Sequence, residues 1–104
     1  MIFRRSRFRD LVERQLDLFE ADTELLNDAA LADSEWTSAD ASESEELYGD
    51  YQLVVDAIGS ELLDIRETYA GRLDGGTAAD YRQEFDRAAR KRFGRLASFL
   101  GDDD

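Results

Sequence analysis

The chain has 104 residues, 25 acidic against 13 basic side chains, a formal net charge of −12, and neither His, Cys nor Pro. One domain is expected at this length. Without Cys and His there are no disulfides, no thiolate or imidazole metal sites, and no Ser–His or Cys–His nucleophile pair.

The charge is unevenly placed. Residues 1–9 carry four Arg and no acid, residues 10–80 twenty acids and three Arg, and residues 81–101 six bases and two acids. Asp102, Asp103 and Asp104 follow. An acidic body is therefore set between two basic segments, with a short acidic tail at 102–104. A 42% hydrophobic content is too high for a disordered chain. Absent proline, which breaks helix interiors, permits long helices.

The arm at 1–5, Met1-Ile2-Phe3-Arg4-Arg5, has no apolar stretch after it of the kind a secretory leader needs. No run approaches the ~18 apolar residues of a membrane-spanning helix. Phe and Arg together suit weak contact with an anionic membrane surface or an acidic protein groove. The simpler reading pairs these arginines with acids of the body.

One domain of three helices is expected over residues 6–101. The first covers about 6–32, with Phe8, Leu11, Val12, Phe19, Leu26, Ala29 and Ala30 on one face, broadened by Leu18 and Leu25. Asp22 interrupts that face, and Gln15 lies one heptad earlier. Residues 33–40 read as the main linker, polar and rich in capping residues. Trp36 is its one large apolar group, expected as a lid over the end of the bundle or as a partner contact.

The second helix covers about 42–73. Leu47, Tyr51, Val54, Val55, Ile58, Leu62, Ile65, Tyr69 and Leu73 recur every three or four residues and form one stripe. Ser42-x-x-Glu45 reads as a capping box, and Gly75-Gly76 as the left-handed stop. Gly59, unfavourable inside a helix, suggests a close crossing or a slight bend. Leu53 and Leu63 lie off the stripe and would serve a second contact surface, as in a dimer.

The third helix covers about 77–100, opening on Thr77 with Asp80 three residues on. Ala78, Tyr81, Phe85, Ala88, Ala89, Leu96 and Phe99 form its stripe. Arg92 interrupts it. Short linkers make neighbours antiparallel, so the expected form is an up-down-up bundle, as a monomer or as a dimer sharing its helices. The first and third helices then run parallel, and an Asp22–Arg92 pair would fix their register.

Two patterns could carry chemistry. Glu43-x-x-Glu46 followed by Glu61-x-x-Asp64 is similar in form to the E-x-x-E and E-x-x-D pairs of the all-α nucleotide pyrophosphatases. That resemblance implies magnesium held by these four carboxylates, with hydrolysis of a nucleotide. Both pairs fall on one expected helix, about 25 Å apart along its axis. Only a break near Gly49 or Gly59, or an antiparallel dimer, would bring them together. Otherwise they form a solvated acidic face. The second pattern is Arg87, Arg90, Lys91 and Arg95, with Phe93 among them. Such a helix can track phosphates and stack on a base, or dock an acidic partner. The net −17 of the body opposes nucleic acid, and cations near a helix C-terminus suit its dipole.

The sequence reads as a small cytoplasmic all-α protein whose work is association, with a protein partner or with itself, and without catalysis or cofactor. The contact residues would be Arg87, Arg90, Lys91, Arg95, Leu53, Leu63 and Trp36. The rivals are the magnesium-dependent hydrolase and nucleic-acid binding. Twelve Arg against one Lys fits a high-GC or salt-adapted source.

Overall fold

The computed structural model describes residues 7–101. The arm at 1–5 and the tail at 102–104 lie outside them. Among the described residues all regular structure is helical, and no helix is long and apolar enough to cross a membrane. Four helices are present where three were expected: α1 (Arg9–Asp22), α2 (Leu25–Thr37), α3 (Ala41–Ala70) and α4 (Gly75–Phe93). Two 3₁₀ turns, Gly94–Gly101, follow and are interrupted at Ala97.

The expected first helix is broken at Thr23 and Glu24. Thr23 turns to an extended conformation, ψ 147°, and its Oγ1 accepts the Leu25 amide at 3.1 Å. A continuous helix would have buried Asp22. The break leaves Asp22 exposed while Phe19 and Ala29 stay in the core. The expected linker is also displaced. Residues 33–37 are the last turns of α2, where the Thr37 and Ser38 hydroxyls bond the Asp33 and Ser34 carbonyls.

Two aspartates start the later helices. Asp40 caps α3 by accepting the Ser42 and Glu43 amides at 3.0 and 3.1 Å. The Ser42 hydroxyl, then the Glu43 amide, hold its carboxyl below the ordinary range. Asp74 caps α4 by accepting the Thr77 amide at 2.9 Å. Gly75 and Gly76 therefore lie in the first turn of α4 and do not stop α3 in a left-handed conformation. The positive-φ glycine of the described chain is Gly94, φ 61°, which ends α4.

The helix α3 is the spine. Its expected stripe is observed as far as Tyr69, with Tyr51, Ile58 and Leu62 buried and Gly59 buried beside them, while Leu73 lies past the helix end at Ala70 and packs against the core from there. Contacts between Phe8 and Tyr81 at one end, and Phe19 and Phe93 at the other, make α1 and α4 parallel. Tyr69 of α3 meets both Phe8 and Tyr81, so α3 runs against them. The other half of α3 is covered by α2 and the 3₁₀ turns. One core results, with Leu16, Tyr81 and Phe85 fully buried; burying each such side chain is worth ~1.5–3 kcal/mol. The molecule extends 55 × 26 × 25 Å, with a radius of gyration of 16.0 Å. A compact chain of this length would have about 13 Å.

Ion pairs tie the helices laterally. Arg66 of α3 gives Asp86 of α4 two bonds, at 2.8 and 3.0 Å. Glu67 takes Arg66 on one side and Arg82 on the other. The bond from Arg82, then that from Arg66, bring the Glu67 carboxyl down to about 2.

Candidate functional site

The hairpin of α2 and α3 carries the most unusual surface. Residues 24–64 hold twelve acids and no base. Among the described residues only Asp33 of these twelve is in an ion pair, with Arg95 at 3.4 Å. On a helix, Glu46, Asp50, Leu53, Asp56 and Asp64 fall within ~60° of one line. All five are exposed. Leu53, 68% accessible, is thus an apolar side chain in a carboxylate field. Leu31 of α2 is 61% accessible.

An aromatic corner closes the end of the hairpin. Trp36 of α2 meets Tyr48 of α3 edge-to-face, with ring centroids 4.8 Å apart. The Trp36 Nε1 donates to Asp33 Oδ1 at 3.1 Å, and Arg95 donates to the same oxygen. The Arg95 guanidinium also lies 5.9 Å from the Tyr51 ring centroid, a cation–π distance. Trp36 is therefore a helix residue wedged between α2 and α3, not part of a loop folded over the end.

The carboxylates singled out as metal ligands do not meet. Glu43, Glu46, Glu61 and Asp64 all lie on α3, which continues unbroken through Gly49 and Gly59. The pairs stay about 25 Å apart. Glu61 and Asp64 share a shallow concavity of about 400 Å³ with Ser60, Leu63 and Glu67. Among the described residues no three acidic side chains converge as a metal site would require.

The basic residues are partly committed inside the molecule. Arg92 does not pair with Asp22. It reaches Glu13, Asp17 and Glu20 of α1, at 2.5, 2.8 and 3.0 Å. One arginine thus spans three successive turns of α1, a register device in place of the expected buried pair. Arg87 pairs with Glu84 on its own helix, and Arg95 is held by Asp33 and Tyr51. Arg90 is partnered as well. Lys91 is exposed. Leu63, expected on a second contact surface, instead packs against the edge of the core.

Sequence reasoning missed Leu16 and Asp33, whereas Gln15, noted one heptad before Asp22, accepts the Tyr81 hydroxyl across the α1–α4 seam. Asp33-x-x-Trp36 was a readable signal, since three residues on a helix bring the two side chains together. No family profile, curated protein or solved structure matches this chain.

Proposed function

We propose that this protein is a non-catalytic association module whose α2–α3 hairpin takes up a cationic protein partner. One observation carries the reading: twelve acids without a base over residues 24–64, eleven of them outside any ion pair among the described residues. Self-repulsion of that surface costs stability in the free protein. A basic partner relieves the cost and is steered in over long range. Leu31 and Leu53 supply apolar contact within the acidic field. The nucleic-acid reading loses support because Arg87, Arg92 and Arg95 are bonded to acids of the same chain.

Affinity capture from native lysate at low and high salt tests this. The expected result is a basic protein that co-purifies at low salt and is lost at high salt. A chain with Glu46→Gln, Asp50→Asn and Asp56→Asn together should lose it at both. Magnesium-dependent turnover of nucleoside triphosphates, or a monomer that captures nothing, would overturn the reading.

A further inference from the structure

The break between α1 and α2 does more than relocate Asp22. It leaves, against the last third of α3, a notch of about 510 Å³. That volume lies within the ~300–1,000 Å³ typical of ligand pockets. Its floor is apolar: Leu18, Phe19, Leu25 and Ile65. Leu18 is 57% accessible, so much of the apolar surface there faces water. Its rim holds three carboxylates, Asp22 from α1, Glu24 from the turn and Glu61 from α3.

Charge identifies what fits. None of the three rim acids forms an ion pair among the described residues, and no basic side chain lines the notch. The last turn of α1, which ends at the notch, has no basic residue either. A helix C-terminus carries about half a negative charge and favours a cation. The carboxylates and the helix end therefore add in sign. They come from α1, the turn after it and α3.

We infer that the notch is the anchor site of the cationic partner. It receives one bulky apolar side chain of a basic amphipathic helix, with flanking Arg or Lys reaching Asp22, Glu24 and Glu61. This rests on the association reading above and names its contact point. Burial of the anchor on Leu18, Leu25 and Ile65 supplies the driving force. The rim selects sign, because an acidic segment would meet three like charges. Such helix-in-groove recognition uses apolar anchors at helical spacing.

The test uses the full chain and a defined probe, a helical peptide with Leu at two positions four apart and Arg on either side. Titration followed by methyl NMR should show saturable shifts at Leu18, Leu25 and Ile65. Leu18→Asp, at an exposed position, should weaken binding at least tenfold without changing the thermal midpoint. Asp22→Asn with Glu61→Gln should weaken it severalfold and flatten its salt dependence. The same peptide with Glu in place of Arg should not bind. Shifts confined to the Leu31 and Leu53 side of the hairpin would overturn the notch and leave the association reading standing. Failure of every basic peptide, with nothing captured from lysate, would remove both. Two further results would overturn the assigned occupant. One is an apolar ammonium compound binding the notch where the peptide does not. The other is a wild-type dimer converted to monomer by Leu18→Asp.

Discussion

The Tyr81 hydroxyl donates to Gln15 Oε1 at 2.8 Å, joining α4 to α1 across 66 positions of sequence. Tyr81 is fully buried, and the rings of Phe8 and Tyr69 surround it. The bond lets a large aromatic side chain enter the core without leaving its hydroxyl unpaired.

Tyr81→Phe removes the donor and strands the half-buried Gln15 amide oxygen, so stability should fall by about 1 kcal/mol. The pH response follows from the same burial, which pushes the phenol up to about 12. The folded chain then binds a proton that the unfolded chain, titrating near 10, has released. Stability from this group is complete below about pH 10 and declines as pH rises toward 12. Denaturant unfolding at pH 7 and above pH 10 should show that decline in the wild type, and less of it in Tyr81→Phe.

Arg92→Ala should leave Glu13, Asp17 and Glu20 facing one another with no cation. Exposed pairs are worth ~0.2–1 kcal/mol each, so the combined loss should be about 1–2 kcal/mol. The loss should shrink in molar salt. Arg92→Lys, a single point charge, should recover only part of it. Asp22→Asn should leave stability almost unchanged. A large effect of Asp22→Asn would restore the pair that the sequence suggested.

Glu67 offers a test at acid pH. Its carboxyl titrates at about 2, below its ordinary 4.5, chiefly because Arg82 and then Arg66 donate to it. A depressed carboxyl stabilises above its unfolded value and loses that contribution as pH falls from about 4.5 to about 2. The stability gap between wild type and Glu67→Gln should therefore be largest near neutrality and close over that interval. Its side chain is 41% accessible, so water screens the gap to a modest size.

Gly94→Ala probes a purely conformational demand. The residue sits at φ 61°, ψ −131°, and a Cβ placed there would meet nothing within 4 Å. The cost is backbone strain alone, about 1–3 kcal/mol. Because Gly94 sets the turn that brings Arg95 to Asp33 and Tyr51, the variant should also alter Trp36 fluorescence.

The apolar stripe of α3 was legible because eight residues, Leu47 to Tyr69, kept one period over about six turns. The helix count and course were not legible: strict alternation of the four observed helices would set α1 against α4, and the ring contacts Phe8–Tyr81 and Phe19–Phe93 make them parallel instead. The break at Thr23 was hidden, since no Gly or Pro marks it. Its signal was Asp22 itself, a carboxylate where a straight helix would bury it. The caps were misplaced by a few residues because Asp40 and Asp74 compete with Ser42 and Thr77, and either type can start a helix. The notch was invisible for a deeper reason. A concave surface belongs to three separated segments, and periodicity describes only one at a time.

The parallel contact of α1 with α4 also sets the order of events during synthesis. Val12, Leu16 and Phe19 leave the ribosome early. Tyr81, Arg92 and Phe93, which cover and orient that helix, are made more than sixty residues later. At about 5–20 residues per second, the interval between Gln15 and Tyr81 is roughly 3–13 seconds. Through that interval the apolar face of Val12, Leu16 and Phe19 lacks its α4 cover, on a segment that also carries Asp10, Glu13, Asp17, Glu20 and Asp22.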